Sequence, residues 1–128
     1  MKKINKHNFI LRNQVQQVFV ERDIMTFTNF PFVVALICSF ELKKHLCMVM
    51  QYVEGLDVAT LIKNMGTLPL DMARVYFTET TLGVEYLHSY GIIHRDLKPD
   101  NLLITSMGHV NLTEFGLSKV GLMNCIKV

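Results

Sequence analysis

The string HRDLKPDN, His94 to Asn101, places Asp96, Lys98 and Asn101 in one polar loop. An Asp five residues ahead of an Asn carries little weight by itself. The full pattern H-R-D-L-K-x-x-N is highly specific, because chance matches at so many fixed positions are rare. Further along, VNLTEFG, Val110 to Gly116, reads as a strand running into an acid-Phe-Gly turn. Phosphoryl-transfer chemistry wants an Asp at such a turn to hold Mg2+, and Glu114 stands there instead. Both carboxylates bind Mg2+ through oxygen, so the swap changes reach rather than ligand type.

Composition bounds what surrounds these residues. The chain has 128 residues, half of them apolar and 19% charged, which is the balance of one globular domain and not of a disordered chain. Thirteen basic and 11 acidic residues give a formal charge of +2, too balanced to argue for nucleic acid or an anionic membrane. Cys38, Cys47 and Cys125 are odd in number and include no C-x-x-C, which argues against a disulfide framework or zinc site. The longest apolar run, FPFVVALICSF at 30–40, is too short for a bilayer, which needs about 20 residues. No signal-type segment follows the basic N-terminus, so the expected location is the cytosol.

Periodicity then supplies the elements that must position the loop. Residues 13–26 read as an amphipathic helix with Val15, Val18, Phe19 and Met25 on one stripe. Segments 32–40 and 45–53 read as strands joined by the polar link ELKK. Asp57 is placed to cap a short helix through Met65, and Gly66 to end it. A longer helix is expected over 70–90, with Pro69 at its start and Asp71 in its first turn. Met72, Val75, Tyr76, Leu82, Tyr86 and Leu87 form its expected apolar face, and Gly91 ends it. Two short strands then flank the polar loop and a turn at Ser106 to Gly108. Helices and strands segregate, which gives an α+β class.

With the loop set in this helix–loop–strand order, the sequence resembles the protein kinase family along its whole length. The resemblance implies ATP and Mg2+ as cofactors and serine or threonine hydroxyls of proteins as substrates. It implies that Asp96 orients the substrate hydroxyl and accepts its proton, that Lys98 neutralises charge on the transferred phosphoryl group, and that Asn101 and Glu114 bind Mg2+. A Lys at position 98 is similar to the serine/threonine kinases. MKK at the start resembles the V-A-x-K strand, making Lys2 the phosphate-binding lysine and Glu21, in FVERDIM, its ion-pair partner. MVMQYV resembles the hinge, with Met50 as gatekeeper, Gln51 in place of a common hinge Glu, and Val53 offering backbone groups to adenine. In the same frame Asp57 serves the ribose, Leu103 lies under the adenine, and Met25, Leu36, His94 and Phe115 form the regulatory spine. The stretches 2–55 and 72–123 are most similar to the AGC group, and within it to the microtubule-associated serine/threonine kinases. That likeness implies cytoskeletal or scaffold partners.

The expected organisation is a partial kinase domain. Residues 1–53 are expected to form part of the small lobe and the hinge, and 54–128 the first part of the large lobe. No G-x-G-x-x-G loop and no A-P-E segment occur in the sequence, so impaired catalysis is the expectation. Glu114 adds to it. Its carboxylate reaches about 1–1.5 Å further than that of Asp, while Mg2+ demands near-ideal octahedral geometry. A misplacement of about 1 Å can cost on the order of 10²-fold in rate. The alternatives to an enzyme are a pseudokinase-like binding module and a non-functional fragment.

Overall fold

The computed structural model describes residues 1–7, 22–26 and 28–113, together with the backbone of 119–120. Strands β1 (Lys2–Asn5), β2 (Leu36–Glu41) and β3 (His45–Met50) form an antiparallel sheet in the order β1-β3-β2. The central strand reads HLCMVM, and Leu46, Cys47 and Met48 are all buried, so both of its faces are covered. The ELKK link makes the expected hairpin, with Leu42 N–H donating to the His45 carbonyl at 2.7 Å. Residues 22–26 are helical, and 13–21 of the expected first helix lie outside the described residues.

Both strand expectations ran too long. Residues 32–35 do not extend β2. They run beside a later strand, where Leu112 N–H donates to Phe32 O (2.8 Å) and Val34 N–H to Leu112 O (3.0 Å). An apolar run suits either partner, so the periodicity alone could not separate them. Residues 51–54 leave the sheet as extended chain, tied back by Gln51 N–H donating to Ala35 O at 2.9 Å.

Helix α1 (Val58–Met65) lies where the Asp57 and Gly66 signals placed it. Asp57 accepts from Thr60 N–H at 2.8 Å, and Gly66 closes the helix at φ 82. Helix α2 (Leu70–Ser89) starts after Pro69 as expected, but its buried face is Tyr76, Glu79, Gly83 and Leu87. Val75 and Leu82, expected inside, are 45% and 39% exposed. Gly83 explains part of the rotation: its bare Cα approaches the Phe32 carbonyl, and a Cβ there would lie 3.2 Å from that oxygen.

Strand β4 (Ile92–Ile93) pairs with β7 (Lys119–Val120), a pairing the sequence did not announce. A 3-10 turn (Pro99–Asn101) leads into β5 (Leu102–Ile104), which pairs antiparallel with β6 (Val110–Leu112) across the expected turn. The helices and strands thus form an α+β arrangement. One core cluster joins Ile24, Met25, Val33 and Val34 to Leu87, Ile92 and Leu112. A second, of Val58, Tyr76, Ile104 and Val110, lies under α1 and α2. Among the described residues, no helix is long and apolar enough to cross a membrane.

Candidate functional site

The polar loop is held by its own backbone. Arg95 adopts φ 70, a left-handed conformation uncommon for a side-chain-bearing residue. The turn lets Asp96 N–H donate to His94 Nδ1 at 3.1 Å. That bond makes Nδ1 the acceptor nitrogen, so the neutral ring presents its Nε2–H to the Thr113 carbonyl at 2.8 Å. His94 itself is 3% exposed, which restricts the ring to this orientation. Thr113 N–H in turn donates to Asn101 O at 3.1 Å. The loop and the end of β6 are therefore clamped at both backbone groups of Thr113.

Inside the clamp, Asn101 Nδ2 donates to Asp96 O at 2.8 Å and to Asp96 Oδ2 at 3.1 Å. Lys98 Nζ lies 3.5 Å from Asp96 Oδ1, with the lysine half exposed. Asp96, Lys98 and Asn101 thus form one cluster, as their spacing suggested. Both side-chain hydrogen bonds of Asn101 to the loop use its amide nitrogen, which leaves its amide oxygen as a hard ligand atom beside the Asp96 carboxylate. That donor chemistry fits Mg2+. Among the described residues no group of three His, Cys, Asp or Glu side chains could hold a metal. The second expected ligand, Glu114, lies outside the described residues, as do Glu21 and Phe115.

The other expected site residues fall on the surrounding elements. Lys2 is in β1 opposite Met48, and its expected partner Glu21 lies outside the described residues. Met50 and Val53 are half-buried against the first core cluster, while Gln51 is exposed. Leu103 is half-buried in β5, opposite Asn111, and bridges to Asp57. Met25 and His94 are buried and Leu36 packs on the same cluster, as spine or ordinary core alike would require. A cavity of about 460 Å³ lies against Gln51 to Glu54 and the β5–β6 turn, away from Asp96 and Asn101.

Asp57 caps α1 through both of its carboxylate oxygens. Its Oδ1 accepts from Thr60 N–H and its Oδ2 from Thr60 Oγ1 at 2.7 Å. The Thr60 backbone and hydroxyl bonds hold its carboxyl below the ordinary aspartate range. A depressed pKa means this cap stabilises the fold above the unfolded aspartate pKa and is lost as pH falls through the folded value. The expected result is a loss of α1 helicity in acid that Asp57→Ala shows already at neutral pH and Asp57→Asn shows only in part. Circular dichroism of the three proteins from neutral pH downward checks this, and an acid transition unchanged in Asp57→Ala would remove the cap as its cause.

Sequence reasoning missed Glu79. It lies on the buried face of α2, 8% exposed, with Oε2 accepting from Val110 N–H at 2.7 Å and Oε1 2.7 Å from His109 Nδ1. A helical Glu reads as solvated. The one available signal was its position, three residues after Tyr76 and eight before Leu87 on the same face.

Comparison with known proteins agrees with the geometry. The model of the protein kinase domain matches residues 1–123. The serine/threonine-protein kinase RIM15 of Saccharomyces cerevisiae is 50% identical over 124 residues, covering 96% of this chain and 7% of that protein. The serine/threonine-protein kinase cek1 of Schizosaccharomyces pombe is 49% identical over 96% of this chain and 9% of its own length. The serine/threonine-protein kinase greatwall of Xenopus laevis is 45% identical over 122 residues, 95% of this chain and 14% of its own length. The chain spans about a tenth of the length of the curated relatives it matches. With a domain match over nearly every residue and the loop clamped as described, this chain belongs to the protein kinase family.

Proposed function

We propose that the chain carries the hinge and catalytic-loop part of a Mg2+·ATP-dependent transfer of phosphate to serine and threonine hydroxyls of proteins. The observation that supports it best is the cluster of Asp96, Lys98 and Asn101 tied through His94 and Thr113. In this reading Asp96 orients the hydroxyl and accepts its proton. Lys98, half exposed beside it, neutralises charge on the phosphoryl group. Asn101 and Glu114 hold Mg2+, which when bound screens the negative charge of the phosphates. Lys2 and Glu21 serve the phosphates, and Met50, Gln51, Val53, Asp57 and Leu103 frame the adenine and ribose. Residues 1–53 act as the small-lobe part with the hinge, and 54–128 as the first part of the large lobe.

The finer assignment, an AGC-type kinase close to the microtubule-associated serine/threonine kinases, rests on the stretches 2–55 and 72–123. Cytoskeletal or scaffold partners rest on that likeness alone, and the cytoplasmic location on the reading of the apolar segments given above. A second reading, a pseudokinase-like module that binds partners without transferring phosphate, is favoured by Glu114, a residue one methylene longer than the Asp that phosphoryl transfer wants there.

Calorimetry of Mg2+·ATP binding, with Glu114→Asp alongside, tests the reading. The expected result is measurable heat in both proteins and an affinity about tenfold higher in Glu114→Asp, at the low end of what mispositioned metal-site groups cost. No heat in either protein would remove the enzyme reading. Binding without any transfer to a serine/threonine peptide, even in Glu114→Asp, would leave the pseudokinase reading in its place.

A further inference from the structure

Strand β6 has an edge problem. Its inner side pairs with β5, with Leu103 opposite Asn111. Its outer side presents Val110 and Leu112. The groups of Leu112 are taken by Phe32 and Val34. Val110 N–H meets no backbone carbonyl there. It donates to the Glu79 carboxylate at 2.7 Å, inside a helix face otherwise built of Tyr76, Gly83 and Leu87. A buried carboxylate is costly unless its oxygens are bonded, and here both are. An apolar residue at position 79 could pack equally well but would leave Val110 N–H buried and unpaired.

The strand is three residues long: Asn111 pairs with Leu103, Leu112 is bonded to Phe32 and Val34, and the Val110 N–H depends on Glu79. Glu79 holds its first residue. Its last leads directly to Thr113, the residue clamped by His94 and Asn101. We propose that Glu79 is a positioning residue, acting through β6 on Thr113 and hence, through the Thr113–Asn101 bond, on the Asp96–Asn101 cluster. The link to phosphate and metal binding rests on the proposed phosphoryl-transfer function; the mechanical link along β6 does not.

Two readouts on the full chain separate these levels. Glu79→Met keeps the volume and removes the acceptor, whereas Glu79→Gln keeps a carbonyl for Val110 N–H. In Glu79→Met, amide hydrogen exchange at Thr113 is expected to rise about tenfold relative to the amides of the β1–β3 pair, with Glu79→Gln close to wild type. Affinity for Mg2+·ATP is expected to fall about tenfold in Glu79→Met while affinity for adenosine, which lacks the phosphates, stays constant. Where Glu79→Met does not fold, Glu79→Asp, one methylene shorter, carries the same comparison. Thr113 exchange that stays at the wild-type rate, or that rises only in step with the β1–β3 amides, overturns the proposal. Thr113 exchange that responds in a chain binding no Mg2+·ATP keeps the positioning role and overturns the phosphoryl-transfer reading instead.

Discussion

Gly55→Ala is expected to destabilise the fold by about 2–4 kcal/mol, from overpacking of about 1–3 kcal/mol plus a weakened backbone hydrogen bond of about 1 kcal/mol. A Cβ on Gly55 would lie 2.0 Å from the Ile104 carbonyl oxygen and 2.9 Å from its carbon. Real contacts of that kind need more than 3 Å, so one chain must move by an ångström or more. Neither is free to do so. Ile104 pairs with Val110 in β5–β6, and its N–H donates to Leu56 O at 2.9 Å, right beside the offending position. On the other side, Val53 packs against the first core cluster and Asp57 caps α1.

The reason for this glycine is therefore space. Gly66 and Gly108 are the reverse case: their φ values are +82 and +81, yet a Cβ on either meets nothing within 4 Å. An alanine at Gly66 meets no atom and carries only the strain of its backbone, φ 82 and ψ −100, on the order of 1–3 kcal/mol. Urea unfolding of Gly55→Ala and Gly66→Ala gives the order directly. Gly55→Ala should be the less stable. A loss under about 0.5 kcal/mol at Gly55, within the scatter of ordinary surface substitutions, would mean that the chain at 53–57 gives way freely. Because Gly55 lies between Val53 and Asp57, the same substitution should also weaken adenosine binding if these residues frame the nucleotide.

The parts of the fold legible in the sequence are those where one residue decides local geometry. Asp57, Gly66 and Pro69 each set a helix end through a bond or a torsion of their own: α1 begins and ends, and α2 begins, where these residues say. The turn at Ser106 to Gly108 was legible for the same reason, with Gly108 at φ 81. The polar-loop cluster was legible because its spacing is short: Asp96, Lys98 and Asn101 lie within six residues of chain. What periodicity could not show depends on distant partners. Residues 32–35 are apolar enough for β2, but β6 claims them. Val75 and Leu82 fit an apolar stripe, yet the Phe32 backbone selects the face carrying Gly83, and the bare edge of β6 brings Glu79 inside. In each case the deciding group lies tens of residues away, and no local pattern records it.

Leu87→Ala is expected to cost about 2–5 kcal/mol, the range for a fully buried leucine whose surroundings collapse only in part. Leu87 is 0% exposed and packs in the cluster that holds Ile24, Met25, Val33 and Val34 on one side and Ile92 and Leu112 on the other. Collapse is limited, because Leu112 is fixed by Phe32 and Val34 and Tyr90 N–H donates to the Leu87 carbonyl at 3.1 Å. Leu82→Ala is the internal control: same helix, same atoms removed, but a side chain 39% exposed, so its cost should stay below about 1 kcal/mol. Leu87→Met, which keeps most of the volume, should cost less than about 1.5 kcal/mol. Equal losses at Leu82 and Leu87 would contradict the burial that separates them. The experiment also decides cooperativity. Because the cluster draws residues 24–34 and 87–112 into one core, far-UV and tyrosine signals should report a single urea transition, moved to lower denaturant in Leu87→Ala with its slope unchanged. Two separated transitions would show that the sheet and the α2–β6 unit unfold independently. The clamp on Thr113 belongs to the second of these units, and strand β3, which runs into residues 51–54, to the first. Only a shared transition keeps the two sides of the candidate nucleotide site in register.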